Sequence, residues 1–277
     1  MTKDRNEAPV GPVRHILSLS GGKDSTALAI YMKNRVPEME YVFCDTEKEL
    51  PETYEFLARL EAFLGRPIRR SVHEEGLGFD ALLRIRRGFL PSPQMRWCTE
   101  YLKIKPFERY VGNDHVVSYI GIRADEPHRR GYISTKTNIE ARFPFVEDNI
   151  RKEDVLRILE ESGLGMPAYY AWRSRSGCFF CFFQQRREWV GLLEQHPDLY
   201  WQAAKYEKTD SRTGEKYTWI QNETLHDLAQ PTRVKQIKDD YERKLERQRK
   251  LEASAPLHRV FDLCAEAGDR GCLVCHL

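Results

Sequence analysis

Four short apolar runs mark the first half of the chain, at residues 15–20, 40–46, 67–72 and 115–122. Each is aliphatic, aromatic or β-branched and too short for a free-standing helix, so each reads as a strand. The stretches between and after them, 24–35, 51–64, 78–87 and 101–111, are compatible with helices. Strand and helix alternating in this way predict a parallel sheet with helices on both faces, whose ligands bind beyond the carboxyl ends of the strands. An amphipathic helix follows at 151–162, with Val155, Leu156 and Leu159 on one stripe. Residues 164–184 are irregular and rich in Gly, Tyr and Arg. Further helices are expected at 185–195, 197–207 and 222–229, then a long charged one over 231–253 with Pro231 near its start. Residues 254–277 read as loop. The chain therefore divides into a flexible leader (1–13), an α/β domain (14–150) and a mostly helical C-terminal region (151–277).

Composition narrows the class. The 277 residues are ample for a buried core. Mean hydropathy is −0.62, no apolar run reaches the length of a membrane span, and the polar start carries no signal peptide pattern. A cytoplasmic protein without a membrane role is expected. A net charge of +2 leaves nucleic-acid binding to local patches. Seven cysteines, an odd number, argue against a disulfide framework and for metal or redox use.

The strongest chemical signal is Ser20-Gly21-Gly22-Lys23-Asp24-Ser25, placed between a strand and a helix. Such a turn leaves backbone N–H groups converging on one spot, with the positive end of the helix dipole behind them, and this binds phosphate. Two glycines admit an anion close to the backbone, Lys23 adds a mobile charge and Ser25 a hydroxyl. The glycines and lysine are contiguous, so this is not the common G-x-x-x-x-G-K-[ST] loop. The bland alternative is an ordinary left-handed turn before a helix. Two further signals fall at the same predicted sheet edge: Asp45-Thr46, suited to a ribose hydroxyl or Mg²⁺, and Gly121-Ile122-Arg123, whose arginine suits bidentate phosphate contact.

S-G-G-K-D-S resembles the PP-loop of the ATP pyrophosphatases, which cut ATP between the α and β phosphates and leave an adenylate. Phe43-Cys44-Asp45-Thr46 with Leu50-Pro51-Glu52-Thr53-Tyr54 resembles the V-D-T-x-x-x-x-P-E-T-Y stretch of the PAPS-reductase branch of that superfamily. Cys98 to Pro106 looks like its C-x-x-x-x-K-x-x-P element, in which Lys103 or Lys105 is placed to reach a phosphate. Residues 121–130 resemble its G-x-R-x-x-E-x-x-x-R signature. The resemblance covers roughly residues 14–184. It implies an adenine nucleotide alpha hydrolase-like fold and a nucleotide site made of Ser18, Leu19, Ser20, Gly21, Gly22, Lys23, Asp24, Ser25, Asp45, Thr46, Gly121 and Arg123. Lys23, Asp24, Arg123 and Arg130 would be catalytic, Mg²⁺ would offset charge on the leaving pyrophosphate, and adenine would lie near residues 17–19 and 43–46.

The cysteines extend the resemblance. Cys178/Cys181 and Cys272/Cys275 are C-x-x-C pairs, each able to present two thiolates to one ion. In the 4Fe-4S members of the branch, ligands come from the positions of Cys98, Cys178 and Cys181. Those members carry tandem cysteines where this chain has Trp97-Cys98, so one ligand is missing there. A 4Fe-4S cluster on Cys98, Cys178, Cys181 and one of Cys272 or Cys275 is expected. A structural Zn²⁺ on the two pairs is the alternative. Cys44 reads as packed core.

Basic residues interleave with aromatics at Arg84, Arg86 and Arg87, at Tyr169, Tyr170, Trp172, Arg173 and Arg175, and at Arg186, Arg187 and Trp189. Arginines suit phosphate backbones and rings suit bases, with a solvated helix face as the bland alternative for 84–87. True PAPS reductases lack the Lys-Asp of this loop. Retention of Lys23-Asp24 implies ATP as substrate and resembles the ATP pyrophosphatases of bacterial DNA phosphorothioation, the Dnd and Ssp systems. That resemblance implies DNA as acceptor, a cysteine desulfurase as sulfur donor and other modification-system subunits as partners, with a homodimer left open. PAPS or APS reduction, tRNA thiolation and a non-catalytic regulatory subunit are the rival readings.

Overall fold

The structure, a computed structural model, describes residues 12–129, 131, 134–209, 214 and 216–254. The expected leader through residue 11 and the tail from residue 255 lie outside them.

Five parallel strands form one sheet: β1 (Arg14–Leu19), β2 (Glu40–Asp45), β3 (Ile68–Val72), β4 (Val116–Tyr119) and β5 (Ile139–Arg142), in the order β3-β2-β1-β4-β5. The chain builds outward from β1 to β3, then crosses back and adds β4 and β5 on the other side. The gap between β1 and β4 is therefore a topological switch point, where the loops leaving two adjacent strands diverge and a crevice opens.

Successive strand residues point to opposite faces, and the core records it. Leu17, Leu19, Tyr41, Phe43 and Tyr119 pack on one face with helices α1 (Lys23–Met32), α2 (Pro51–Leu64) and, through Val155 and Leu159, the helix Lys152–Glu161. Ile16, Val42, Cys44 and Val116 pack on the other face against Phe107 and Val111 of the helix Lys105–Val111. Helices thus cover both faces, as the alternation predicts. Cys44 is core, and its burial pushes the thiol up to about 12. Helix α2 runs over the expected 51–64. Pro51 opens it with its fixed φ, and Gly65 closes it in the left-handed region at φ 67°.

Several boundaries differ from expectation. Helix α3 (Phe79–Ile85) falls within the predicted 78–87, whereas the predicted helix 101–111 is a composite of α4 (Trp97–Thr99), a π turn over Glu100–Ile104 and α5 (Lys105–Val111). Pro106 would clash with a carbonyl one turn back in a continuous α-helix, and the wider π turn, in which Lys105 N–H donates to the Glu100 carbonyl, relieves it. Strand β4 stops at Tyr119, because the Ile122 N–H turns back to the Ile120 carbonyl at 3.0 Å. Gly121 and Arg123 therefore belong to the loop beyond the strand. Strand β5 and the short α6 (Pro144–Glu147) were not anticipated: β5 is an edge strand of alternating half-buried and exposed residues with no apolar run to mark it. In α7 (Lys152–Glu161), Val155 and Leu159 are buried one turn apart while Leu156 faces outward at 39% exposure.

The C-terminal region holds α8 (Arg186–Gln195), α9 (Pro197–Ala204), the two-strand pairing of β6 (Lys208–Thr209) with β7 (Lys216–Tyr217), α10 (Leu225–Leu228) and α11 (Pro231–Ser254). Helix α10 is shorter than the expected 222–229 because Thr224 caps it, its hydroxyl accepting the Asp227 N–H at 3.0 Å. These elements share an aromatic core with α3 and α4. Phe79 and Phe180 have ring centres 4.2 Å apart and Phe180 and Trp219 5.1 Å, with Trp97, Trp189 and Tyr200 around them. Among the described residues no helix is long and apolar enough to cross a membrane.

The second face of the sheet rests on few large side chains, and fully buried Phe107 is the largest of them. Phe107→Ala is expected to lower unfolding free energy by about 3–5 kcal/mol in urea titrations. A loss below about 1 kcal/mol would mean that this face does not carry the sheet.

Candidate active site

The loop after β1 is held open by its own hydroxyls. Gly21 takes φ 71°, and a Cβ there would come within 2.6 Å of the Thr53 methyl, so glycine is required on both counts. Ser25 Oγ donates to the Gly22 carbonyl at 3.2 Å, lies 3.0 Å from Ser20 Oγ and accepts the Ser20 N–H at 3.1 Å. Ser176 Oγ donates to Ser20 Oγ at 3.2 Å. The protons align in one direction: Ser176 to Ser20, Ser20 to Ser25, Ser25 to Gly22. No side chain caps α1 at Gly22.

A buried charge cluster stands beside this loop. Asp24 accepts from Lys23 Nζ at 2.6 Å and from Arg123 Nη1 at 2.8 Å. Arg123 is 4% exposed, and its Nε also donates to Asp125 at 2.9 Å. Glu126 accepts the Arg123 N–H at 3.1 Å and pairs with Arg129. Burial works against the Lys23 ammonium, but Asp24, by charge and hydrogen bond, and Tyr170 together outweigh it, and Lys23 is held above its ordinary range. Burial opposes the Arg123 charge too, and Asp24 with Glu126 overcomes it. Glu126 is pushed up by burial despite its two arginines. The pairing of Asp24 with Arg123 crosses the switch point between β1 and β4. Gly121 permits it, since a Cβ there would sit 3.1 Å from the Asp24 carbonyl.

The C-terminal region closes on the loop from the other side. Tyr169 OH donates to the Gly21 carbonyl at 2.8 Å, and Tyr170 OH accepts the Lys23 N–H at 3.1 Å. A Cβ on Gly22 would meet Ser176 Oγ at 2.6 Å. These three contacts were not anticipated. The signal that could have found them is the density of Tyr, Ser and Gly in an irregular segment, which is where loops carry function. Tyr169 and Arg173 are correspondingly buried, at 0% and 1% exposure, and do not belong to a basic surface. Arg173 donates to the carbonyls of Gly177 (2.9 Å) and Cys178 (2.7 Å), fixing the C-x-x-C turn.

Of the expected site residues, Ser20, Gly21, Gly22, Lys23, Asp24, Ser25, Gly121 and Arg123 come together. Ser18 and Leu19 lie inside the sheet at 2% and 0% exposure, so a nucleotide would meet backbone there. Asp45 is used locally: it accepts from the Glu47 N–H and the Tyr54 hydroxyl, both at 2.8 Å, and faces Arg70 at 3.9 Å. Thr46 turns toward the C-x-x-C, 3.2 Å from Cys178 Sγ, and donates to Glu49 at 2.9 Å. Arg130 lies outside the described residues.

The Cys178 thiol is pushed well up by burial and by neighbouring Glu49, which burial also pushes up. Cys181 follows in the same turn, its N–H donating to the Cys178 carbonyl at 3.0 Å. Cys98 borders the same aromatic core from α4. Among the described residues no three His, Cys, Asp or Glu side chains gather as a metal site, and Cys272 and Cys275 lie outside them. The described residues therefore do not by themselves fit a cluster or the two-pair zinc site. Lys105 pairs with Glu100 at 3.1 Å. Lys103 lies close enough to Cys44, Glu49 and Cys178 to favour their charged forms.

The phosphoadenosine phosphosulfate reductase domain matches residues 14–164, more than half of the chain, and the chain belongs to that family. Among curated relatives, an uncharacterised protein of Methanocaldococcus jannaschii is 25% identical over 196 residues, covering 66% of this chain and 45% of that protein. The chain thus spans under half the length of that relative. An uncharacterised nin region protein of Escherichia phage lambda is 27% identical over 210 residues, covering 64% of this chain and 68% of that one. An uncharacterised 37.8 kDa protein of Escherichia phage 186 is 26% identical over 254 residues, covering 70% and 74%. Among solved structures, phosphoadenylyl-sulfate reductase from Candida auris superposes with TM-score 0.48 at 14% identity, covering 61% of this chain and 82% of that one. The U34-tRNA thiolase NcsA from Methanococcus maripaludis, solved with its 4Fe-4S cluster, superposes with TM-score 0.43 at 15% identity, covering 71% of each.

Asp24 is a carboxylate shared by Lys23 and Arg123. Asp24→Asn leaves two cations facing each other in a buried site, and a loss of about 3 kcal/mol in urea unfolding is expected. Wild-type stability in this variant would show that the cluster is solvated and not structural.

Proposed function

We propose that the Ser20–Ser25 loop binds ATP, and that the protein cleaves it between the α and β phosphates to make an adenylate. The observation that carries this reading is the buried Lys23–Asp24–Arg123 cluster beside the glycine turn. Here Asp24 sets the positions of two cations and keeps both charged.

The chemistry follows from those positions. The uncapped start of α1 offers N–H donors and a positive dipole end to the β and γ phosphates. Lys23 and Arg123 offset charge that grows on the pyrophosphate as it leaves, which is where preorganised cations lower a barrier most. Mg²⁺, if bound with the nucleotide, would screen the same oxygens. Gly121 and Gly21 let backbone approach the nucleotide without a side chain between. Tyr170 OH stands on the Lys23 N–H and must yield that donor when a phosphate oxygen takes it.

The adenylyl group would be received by a phosphate of a nucleic-acid backbone, with DNA as the favoured acceptor. A cysteine desulfurase partner would supply the sulfur as a persulfide, a thiol reductant would release it as hydrosulfide with a disulfide left behind, and the hydrosulfide would then displace AMP. Family membership supports sulfur chemistry, and the Lys-Asp of the loop supports a triphosphate over a sulfonucleotide.

Pyrophosphate release from Mg·ATP, with DNA, tRNA and a desulfurase added in separate arms, tests this. Wild type should release pyrophosphate, and Lys23→Ala should do so at least about 100-fold more slowly. Equal rates for the two, or sulfite release from PAPS without ATP cleavage, would overturn the proposal.

A further inference from the structure

Most arginines of this protein with a fixed guanidinium are fixed by carboxylates: Arg123 by Asp24 and Asp125, Arg142 by Glu147, Arg186 and Arg233 by Glu223. A small group beside the loop also stacks on aromatic rings. The Arg175 guanidinium lies 5.3 Å from the centre of the Phe183 ring, and that of Arg96 lies 5.6 Å from the same ring. Arg86 lies 5.7 Å from the Tyr101 ring, which also carries Lys105 at 3.6 Å. Two rings thus carry two cations each.

The difference matters chemically. A carboxylate takes up an arginine's charge and its N–H donors together. A ring holds the guanidinium by its face and leaves charge and edge donors available. Neither Arg175 nor Arg86 makes an ion pair among the described residues, and Arg175 Nε is buried without a hydrogen-bond partner. Arg175 and Arg86 are thus held in place and not neutralised by a carboxylate among the described residues, a state that suits an incoming anion.

Position narrows the anion. Arg175 immediately precedes Ser176, whose hydroxyl is 3.2 Å from that of Ser20 in the loop. One end of the group is therefore at the mouth of the nucleotide site. From Arg96, Tyr101 is five residues further along the composite α4–π helix, roughly 7.5 Å at helical rise, so the second ring continues the surface along that helix. A line of cations leading to a phosphate-activating loop fits a ligand with several phosphates in a row.

We propose that Arg175, Phe183 and Arg96, continued by Tyr101, Arg86 and Lys105, form a track for the backbone of a nucleic-acid strand whose reacting phosphate lies at the Ser20–Ser25 loop. This rests on the nucleic-acid acceptor of the proposed function, but its test does not need ATP turnover. Lys105 is shared with Glu100, so Arg175 and Arg86 supply most of the charge.

The experiment is fluorescence anisotropy of the full chain with a labelled 20-nucleotide single strand, as DNA and as RNA, across a salt series and with polyglutamate as competitor. Wild type should bind one or both strands with salt-dependent affinity. Arg175→Gln should bind more weakly and lower the salt slope by about 1. Phe183→Ala should weaken binding at least about fivefold, and Phe183→Trp should restore it, because a larger ring holds guanidinium at least as well. The DNA and RNA arms tell which acceptor the track takes. No binding by wild type, wild-type binding by both Arg175→Gln and Phe183→Ala, or displacement by polyglutamate as readily as by unlabelled strand would each overturn the track. Loss of binding in the variants, in a protein that releases no pyrophosphate, would uphold the track and refute the ATP reading instead.

Discussion

The carboxylate of Asp24, shared at 2.6 Å with Lys23 and at 2.8 Å with Arg123, is the interaction around which the rest of the site is arranged. It joins the first turn of α1 to the loop after β4, the two segments that part at the switch point of the sheet. Buried ion pairs are weak sources of net stability, because desolvation consumes much of the attraction, but removing one partner is costly. Asp24 is best understood as a positioning group. It fixes where two cations stand, and Gly121 lets the loop come close enough for Arg123 to reach it.

The second constraint comes from the C-terminal region, which is tied to the loop through Tyr169, Tyr170 and Ser176. The same segment, through Arg173, fixes the turn that carries Cys178, and Cys178 touches Thr46 beyond the end of β2. The loop and the C-x-x-C turn are thus parts of one packed unit. Tyr170, which accepts the Lys23 N–H, is only eight residues from Cys178. Tyr169, Tyr170 and Trp172 of that segment pack with the aromatic core shared by α3, α4 and the later helices.

Much of this was legible from residue order. The strand–helix alternation carries the sheet, because β1, β2 and β4 are buried on both faces and cannot hide their apolar runs. Helix α2 is readable to the residue since Pro51 and Gly65 punctuate it. The loop, Gly121 and Arg123 are readable as chemistry at strand ends. What could not be read depends on tertiary packing. Strand β5 lies at the edge and has no apolar signature. The π turn answers a clash at Pro106 that propensity does not express. Tyr169 and Arg173 look like surface residues in a basic-aromatic run, yet both are buried by contacts with backbone carbonyls. The hydrogen bonds that Asp45 Oδ1 accepts from Tyr54 and Glu47 likewise do not show in residue order.

The central claim is that the Lys23–Asp24–Arg123 arrangement is built for a triphosphate. Calorimetric titration with Mg²⁺ and α,β-methylene-ATP, which cannot be cleaved at the α–β bond, followed by competition with PAPS, tests it most directly. The account predicts that the ATP analogue binds and that PAPS fails to displace it. Binding of PAPS in preference to the analogue would contradict it.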